Sequence, residues 1–466
     1  MADSLQTSSR ILMRLRQLVT LAALAATAAC DGVLSTEPFD RLPADGAITD
    51  QATAEAALNG VYAALQSGSM YGLDVHMVGD LAGDNGRWVG TYQFLGDIVT
   101  NRLTADNPEV TDMWAGHYSL INRANVVLRD VPALDAVAAA QKDPILGQAH
   151  FLRALAYHNL VKYWGAVPTP TTPVQRPDDA AEYTRTPVLQ VYDLILQDLD
   201  AAASMIPASA TDTRRGTRAA AQALRARVLF YRAGVAGNAG AAADYQAAFD
   251  AAHAVIAGRT LTVPYANLFT ATGANTAEDI FRVPFTAAES NSLGNYWLWA
   301  GRYEAEPTAS LNAAYEAGDQ RKASTLGPRT AGSTRLQGLK NPTVAGTSHP
   351  HVIRLAELVL IKAEVLARQG QLPAAVGQYN QVRTRAGLTP HVFGVDVTTE
   401  AEVLAAITKE RRLELALEGD RWPDLVRLGQ AVAVKGIADR AYQVLFPIPL
   451  RDIKTSPKLE QNLGYD

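Results

Sequence analysis

The chain has 466 residues, of which 48% are hydrophobic, and its formal net charge is −5 at pH 7. Such a chain can form a large globular core, and without long basic runs or a glycine-rich phosphate loop it is not typical of a nucleic-acid-binding or nucleotide-binding protein. Its eight histidines are scattered and lack the helical spacing of a metal site, so we predict no metal and no cofactor.

The N-terminus resembles the signal peptide of a bacterial lipoprotein. Three arginines precede an apolar run at 18–29, which is too short to span a bilayer and is typical of a signal-peptide core. Small residues then lead into Cys30, the only cysteine of the chain. We predict that residues 1–29 are removed and that Cys30 becomes the lipidated, membrane-anchored N-terminus. The alternative is an ordinary cleaved signal peptide with an incidental cysteine.

Residues 30–50 are rich in Pro, Gly, Asp, Ser and Thr, and this composition predicts a tether. No later run of about 18 apolar residues predicts a transmembrane helix. Apolar residues at helical spacing predict a series of amphipathic helices after the tether. These predicted helices cover 53–65, 113–128, 145–163, 189–205, 218–233 and 241–257.

The pattern breaks between about 261 and 350 and becomes regular again after it. The broken region is rich in Gly, Pro, Thr and aromatic residues, and it predicts loops, short helices and a small β-hairpin. Regular helices are predicted to return at Val352 and to continue to about Leu428.

One stretch of the C-terminal half has the spacing of a tetratricopeptide (TPR) repeat. Gly370 ends one predicted helix and Pro373 begins the next, and small residues at the crossing allow two antiparallel helices to approach closely. The apolar stripes of the two helices comprise Val352, Leu355, Ala356, Val359, Ala363 and Leu366, and then Ala375, Tyr379 and Val382. The earlier helix pairs are interpreted as weaker copies, which predicts a mainly α-helical fold.

The segment VLAAITKERRLELALEGDRWPDLVRLG follows a predicted capping box that begins at Thr399. At 100° per residue, Glu410, Glu414 and Glu418 lie on its apolar side, where unpaired charges would be costly. We therefore predict a buried ion network, with nearby partners Arg412, Arg421, Asp424 and Arg427. The alternative is a glycosidase carboxylate pair formed by Glu410 and Glu414, which flanking arginines would keep too acidic to donate a proton.

Four separated stretches together resemble the SusD/RagB family, and the resemblance extends from the signal peptide to the last residues. The stretches are FLRALAYHNLVKYWGAVPTP, VIRLAELVLIKAEVLARQGQ, ITKERRLELALEGDRWPDLVRLG and LFPIPLRDIKTSPKLEQNLGY. The resemblance implies TPR-like helix pairs that form a base, with irregular loops and a small β-hairpin carrying the ligand face. It also implies a non-enzymatic, surface-exposed outer-membrane lipoprotein that binds a glycan or other nutrient and delivers it to a SusC-like TonB-dependent transporter.

Two residues near the lipidation site depart from the usual lipoprotein pattern. Thr27 occupies the position that usually holds leucine, and Asp31 directly follows the cysteine. In some bacteria an aspartate there directs retention in the inner membrane, so the expectation of surface display depends on the family resemblance. We predict a single domain at 51–466, with an N-terminal family part at about 51–215 and a C-terminal part at about 260–466.

Two loop stretches combine aromatic and polar residues in the way that a sugar-binding site requires, because a sugar ring presents both an apolar face and hydroxyl groups. Trp297 and Trp299 alternate, and in an extended strand they would face the same way. In the family, ligand aromatics come from comparable loops. The predicted ligand-binding residues are Asn85, Arg87, Trp88, Tyr92, Tyr296, Trp297, Trp299 and Tyr303, and the alternative for each aromatic is a core position.

Three other tryptophans, Trp114, Trp164 and Trp422, are predicted to lie in the core. Two other functions stay open for the chain. A lipid-anchored TPR scaffold of envelope assembly would bind peptides along a helical groove without an aromatic loop cluster. A surface glycosidase would require a pair of carboxylates that converge in a cleft.

Overall fold

Side-chain caps fix the start of several helices in this chain, including the first. We describe the protein from a computed structural model, which defines residues 46–465 apart from 175, 177, 178 and 180. The predicted signal peptide, Cys30 and most of the tether lie outside the described residues. Asp50 caps the first helix through its side chain and the Thr53 amide (2.8 Å), and Thr399 forms the predicted capping box with Glu402.

The helices fall into two groups along the chain. The first group is α1 Gln51–Leu65, α2 Asp74–Ala82, α3 Gln93–Thr100, α4 Pro108–Asp130, α5 Ala139–Trp164, α6 Val188–Met205, α7 Arg218–Ala233 and α8 Ala241–Ile256. The second group is α9 Leu293–Trp297, α10 Ala309–Ala314, α11 Arg321–Thr325, α12 Leu355–Arg368, α13 Leu372–Arg385, α14 Glu400–Glu414, α15 Arg421–Arg427, α16 Ala431–Lys435 and α17 Leu450–Thr455. The described residues also contain a π-helical turn at Gly68–Gly72 and 3₁₀ turns at Val131–Ala133, Tyr265–Leu268 and Ala438–Val444.

The six helices predicted between residues 53 and 257 are confirmed as α1 and α4 to α8, whereas α2 and α3 were not predicted. All nine residues of α2 are buried. A helix that is buried on every side has no polar face and therefore no amphipathic period to detect. The third helix has only eight residues, too few for periodicity to identify it reliably.

Consecutive helices pack on one another as TPR-like pairs. Helix α4 packs on α5, α5 on α6, α6 on α7 and α7 on α8, and α12 then packs on α8, α13 and α14. The α12–α13 pair confirms the predicted repeat: Gly370 has a φ of +74° between the two helices, and Pro373 lies in the first turn of α13. The predicted stripe residues from Leu355 onward share one buried cluster, while Val352 lies instead in a strand.

Six short strands form three separate antiparallel pairs within the described residues. They are β1 Gly86–Trp88, β2 Asp279–Arg282, β3 Ala305–Pro307, β4 Leu326–Pro328, β5 Leu336–Gly338 and β6 His351–Arg354. Strand β4 pairs with β5 and confirms the small hairpin predicted between 261 and 350. Strands β1 and β3 pair across more than 200 residues of sequence, as β2 and β6 do across about 70; neither pairing was predicted.

The three tryptophans assigned to the core are buried, as predicted. Trp114 and Trp164 meet edge to face with their ring centroids 5.4 Å apart, and the Trp164 indole donates to the carbonyl of Pro447 at 2.8 Å. The residues Asp50–Asp466 form one compact unit. None of the helices built from the described residues has both the length and the apolar character needed to cross a bilayer.

Candidate functional site

The two loop stretches that were predicted to bind a ligand meet in the structure. Strands β1 and β3 pair so that Arg87 lies opposite Glu306 and Trp88 opposite Ala305. The carbonyl of Glu304 extends the contact by accepting hydrogen bonds from the amides of Val89 and Gly90, at 2.9 and 3.3 Å. Residues more than 200 positions apart in sequence therefore form one surface.

The β4–β5 hairpin adds a third segment to this surface. The side chain of Gln337 accepts a hydrogen bond from the Trp299 amide at 3.0 Å, and the Tyr303 hydroxyl oxygen lies 2.5 Å from the carbonyl oxygen of Leu336. We call the resulting surface the aromatic face. Its members are Tyr92, Phe94, Tyr296, Trp299 and Tyr303, with Arg87, Arg302, Arg329 and Arg335 beside them.

One half of the aromatic face is built around Tyr92. Its ring stacks on Phe94 with a centroid separation of 5.0 Å, and it lies 6.3 Å from the ring of Tyr296. The Arg302 guanidinium covers Tyr92 at 3.7 Å from the ring centroid. This guanidinium also pairs with Glu304 at 2.8 Å, which fixes its position over the ring.

Glu304 anchors this half from below. Its carboxylate accepts hydrogen bonds from the backbone amides of Thr91 and Tyr92, at 2.7 and 3.0 Å. Burial raises the pKa of Glu304, but these amides and the Arg302 guanidinium outweigh burial and hold the pKa below its ordinary value. The carboxylate is therefore ionised at neutral pH and ties the two segments together.

The other half is built around Trp299, which is 46% exposed and is the most exposed tryptophan among the described residues. Its ring meets Tyr303 edge to face at 5.3 Å, and the Arg329 guanidinium lies 4.3 Å from the centroid of the indole. Glu306 underlies this half, where it accepts a hydrogen bond from Tyr303 at 2.5 Å and pairs with Arg335 at 2.6 Å. Arg87 pairs with the same carboxylate.

The prediction that Trp297 and Trp299 face the same way is wrong. Trp297 ends helix α9, and the chain becomes extended only at Leu298, so the two side chains diverge. Trp297 is 2% exposed. Its ring lies so close to two glycines that a Cβ on Gly86 or Gly338 would come within 2.8 or 3.2 Å of it. Trp297 therefore supports the aromatic face from beneath and offers no exposed platform.

Two further predicted ligand residues are also buried. Asn85 donates to Asp80 at 2.7 Å and accepts from Arg412 at 2.9 Å, so both ends of its amide are occupied within the protein. Tyr303 lies edge-on beneath Trp299, with its hydroxyl bonded to Glu306. These two residues shape the site from inside.

Trp88 is intermediate in exposure between the buried Trp297 and the exposed Trp299. Its ring packs against Gly96, where an added Cβ would lie 3.0 Å from the indole, and its indole nitrogen is buried without a hydrogen-bond partner among the described residues. Arg87 precedes it on the strand and points to the opposite face, as alternation along a strand requires. The exposed members among the predicted aromatics are thus Trp299 and, in part, Trp88, Tyr92 and Tyr296.

Sequence reasoning missed Phe94, Arg329, Arg335 and the two glutamates of the face. The alternation in RYEAE placed Glu304 and Glu306 on one side of a short strand, and this signal could have found them. Nothing local connects Arg329 or Arg335 to the site, because the β4–β5 hairpin brings them there. No group of three or more His, Cys, Asp or Glu side chains in the described part of the chain is arranged to hold a metal ion.

The predicted buried ion network is confirmed, but its predicted partners are wrong. Glu414 is fully buried and pairs with Arg354 at 2.5 Å, with Arg321 at 3.5 Å and with Arg385. We call this cluster the core ion network; its members are Glu278, Glu410, Glu414, Glu418, Arg321, Lys340, Arg354, Arg383 and Arg385. Arg412 and Arg421 pair instead with Asp84, and Arg427 pairs with Glu364 and Asp424.

The network leaves Glu410 and Glu414 unsuited to catalysis. Burial raises the pKa of Glu414, but the charges of Arg385, Arg354 and Arg321 outweigh burial and lower the pKa well below its ordinary value. Glu410 is likewise buried between Arg321 (2.8 Å) and Arg383 (2.7 Å). A general acid needs a raised pKa, which Glu414 lacks, and access to its substrate, which neither buried carboxylate has.

Two sequence models of one family match the chain. The first, a SusD-like model described as "Starch-binding associating with outer membrane", matches residues 36–230, and the second, described as "SusD family", matches residues 291–440. Among characterised sequences, the chain is 27% identical to SusD-like protein P38 of Formosa agariphila, an alignment that covers 96% of this chain and 97% of P38.

Solved structures have the same fold. The chain resembles a protein described as a "Laminarin binding SusD-like protein" with a TM-score of 0.76 and 24% identity, covering 90% of this chain and 100% of that one. It also resembles a SusD homologue from Bacteroides thetaiotaomicron with a TM-score of 0.77 and 20% identity, covering 90% of this chain and 98% of that one.

Proposed function

Because the chain belongs to the SusD family, we propose that it is a surface lipoprotein that binds a glycan or other nutrient and delivers it to a SusC-like TonB-dependent transporter of the outer membrane. The description of the first family model, with starch binding and association with the outer membrane, supports a role in glycan capture at that membrane. The structural relative that is named for laminarin binding supports the same class of ligand.

The observation that carries this proposal is the aromatic face. Trp299 presents an exposed indole to solvent, and Tyr92 and Tyr296 extend the aromatic surface through the segment that Arg302 and Glu304 hold in place. Stacking of a sugar ring on an indole removes apolar area from water, and nearby guanidinium groups can donate hydrogen bonds to the hydroxyls at the rim of the ring. Loops held by strand pairing and ion pairs also lose little entropy when a ligand binds.

The two other functions have less support. A TPR scaffold would bind peptides along a helical groove and would have no use for an exposed tryptophan held between three distant segments. A glycosidase would need an accessible carboxylate pair, whereas Glu410 and Glu414 are buried among arginines. A binding function without catalysis therefore agrees best with the arrangement of charges.

The membrane anchor is proposed to be the lipidated Cys30, which lies outside the described residues. We expect the full chain to take up labelled palmitate and to partition with membranes, because several acyl chains give firm anchoring. The Cys30→Ala variant should be released in soluble form. Equal partitioning of the two proteins would contradict the proposed anchor.

Titration against a panel of soluble glycans, including laminarin and starch oligosaccharides, tests the binding function. At least one glycan should bind the wild-type protein, and Trp299→Ala should weaken that binding by about tenfold, equivalent to about 1.4 kcal/mol. Tyr442→Ala is the matched control, because Tyr442 is an exposed aromatic residue outside the aromatic face. Equal weakening by both variants would contradict a binding role for this face.

The transporter is tested separately by isolating the lipidated protein from outer membranes under mild detergent. We expect a TonB-dependent barrel to copurify with it. A protein that purifies alone under conditions that preserve other outer-membrane complexes would contradict the proposed partnership without affecting the glycan result.

A further inference from the structure

The half of the aromatic face around Trp299 carries more positive than negative charge. Arg87 and Arg335 both pair with a single carboxylate, that of Glu306, and Arg329 lies over the neighbouring Trp299 ring. We call this group the cationic end of the face. Three cations and one anion leave an excess positive charge beside the most exposed tryptophan of the described residues.

The single carboxylate of the cationic end is hidden from solvent, whereas its arginines are not. The side chain of Glu306 is 2% exposed, and those of Arg87 and Arg335 are 49% and 37% exposed. Burial raises the pKa of Glu306, but its hydrogen bonds from Tyr303, Arg335 and Arg87 hold the pKa below its ordinary value. A ligand that approaches Trp299 therefore meets guanidinium groups, while the compensating charge lies beneath them.

Arg329 is the source of the uncompensated charge. Its guanidinium stacks on the Trp299 indole at 4.3 Å, and within the described part of the chain it makes no ion pair or side-chain hydrogen bond. Other arginines of the face are tied to carboxylates, as Arg302 is to Glu304 and Arg335 to Glu306. The Nε of Arg329 is buried, but its two terminal nitrogens thus remain available to donate to a ligand.

The opposite half of the face has no such excess. Arg302 is balanced by Glu304, and Asp74 and Glu109 lie near Tyr296. Burial, followed by the influence of Tyr92 and Glu109, raises the pKa of Tyr296 to about 12. The excess positive charge is therefore confined to the Trp299 half, so the two halves of the aromatic face differ in net charge.

We propose that the cationic end recognises an anionic group, a uronate carboxylate or a sulfate ester, on a glycan whose sugar ring stacks on Trp299. This inference rests on the proposed glycan-binding function and adds the class of glycan: the face prefers acidic over neutral chains. A planar guanidinium can bind a carboxylate or sulfate through two parallel hydrogen bonds, and a cation already stacked on an aromatic ring loses little freedom in doing so.

Matched pairs of probes test this preference. One pair is an oligogalacturonide and its methyl ester, and the other is a sulfated galactan oligosaccharide and its desulfated form. In calorimetric titrations at about 50 mM NaCl, the charged member of at least one pair should bind at least tenfold more tightly than its neutral counterpart. Raising NaCl to about 500 mM should remove most of this advantage, because salt screens exposed charges.

Variants assign the effect to the cationic end. Arg329→Gln should weaken binding of the charged member several-fold more than binding of the neutral member, because glutamine can still donate a hydrogen bond to a sugar hydroxyl but carries no charge. Because Arg329 has no carboxylate partner in the described residues, its substitution strands no buried charge and the thermal melt should not shift. Arg225→Gln, which removes a half-exposed arginine that pairs with Asp200 outside the aromatic face, is the matched control and should change neither affinity.

The outcomes separate this inference from the proposed function. Binding of neutral glycans with equal or higher affinity than their charged counterparts overturns the acidic preference and leaves the binding function intact. The same holds if Arg329→Gln and Arg225→Gln have identical effects. If none of these probes and no member of the wider glycan panel binds, glycan binding by the aromatic face is overturned, and the acidic preference with it.

Discussion

The core ion network and the Trp299 half of the aromatic face are assembled from the same residue types, and they use them differently. In the core, Glu414 meets three arginines and Glu418 meets Arg354 and Lys340, and all of these side chains are buried except that of Glu418, which is 9% exposed. On the face, the buried carboxylate of Glu306 pairs with Arg87 and Arg335, whose side chains are partly exposed. A third arginine, Arg329, stacks on the exposed indole of Trp299.

The difference lies in what happens when one partner is removed. A buried charge that loses its partner cannot recover its hydration, so the core network fixes the packing of α11, α13, α14 and β6 against one another. An exposed guanidinium remains hydrated with or without a partner and contributes little to stability. Charges in the core therefore hold the fold, and charges on the face remain free to bind.

The largest expected loss of stability concerns Trp297, which lies between the aromatic face and the core. Trp297 lies beneath the face and packs against Gly86 and Gly338. Trp297→Ala should lower the free energy of unfolding by about 3–5 kcal/mol, because it opens a cavity the size of an indole. Urea titrations measure the loss, and Trp297→Phe should reduce it. A loss of less than about 1 kcal/mol would show that Trp297 is not part of the core.

A somewhat smaller effect tests the core network itself. Glu414→Ala should destabilise the protein by about 3 kcal/mol, because it leaves Arg321, Arg354 and Arg385 with an unbalanced buried charge. Lys409→Ala on the same helix is the matched control, since Lys409 is exposed and pairs with a half-exposed Glu316. The control should cost less than about 1 kcal/mol. Equal losses would remove the distinction between buried and exposed pairs.

The core network also predicts how stability depends on pH. Burial raises the pKa of Glu418, but Arg354 and Lys340 outweigh it and lower the pKa to about 2, below the ordinary value of 4.5. A depressed pKa stabilises the folded state above pH 4.5, and this contribution is lost as the pH falls toward 2.

The stability difference between wild type and Glu418→Gln should therefore be constant above about pH 5. It should shrink below pH 4.5 by up to about 1.4 kcal/mol per pH unit. Urea titrations between pH 7 and pH 3 measure this convergence. A difference that stays constant over the whole range would mean that Glu418 titrates normally in the folded protein.

Local signals in the sequence account for most of the helical fold. The period of the apolar stripes located α1 and α4 to α8, although the predicted starts of α4 and α5 were five and six residues too late. Gly370 with Pro373 located the turn between α12 and α13. The same reasoning placed Glu410, Glu414 and Glu418 in the interior, because charges on an apolar stripe require burial with partners. Apolar periodicity did not detect α2, because all residues of this helix are buried and it has no polar face.

Long-range pairing explains what the sequence could not reveal. The arginines that neutralise Glu414 lie 29, 60 and 93 residues away, so the nearby arginines were the wrong partners. At the site, the two aromatic stretches were found, but only the β1–β3 pairing and the β4–β5 hairpin decide which side chains reach the surface. A single helical turn at Trp297 placed it beneath the face and left Trp299 exposed.

The smallest expected change in stability concerns Trp299. Its indole is 46% exposed and contacts Tyr303 and Arg329, so Trp299→Ala should leave no cavity and should change the free energy of unfolding by less than about 0.5 kcal/mol. The same variant should weaken the binding of a glycan by about tenfold, since a stacked sugar gains 1–2 kcal/mol at about 25 cal/mol per Å² of apolar area. Trp299→Phe keeps an aromatic platform and should recover part of the affinity.

Thermal melts and titrations of the two variants measure both quantities. A destabilised Trp299→Ala protein that binds as tightly as wild type would assign Trp299 to the core and would leave the face without its exposed platform.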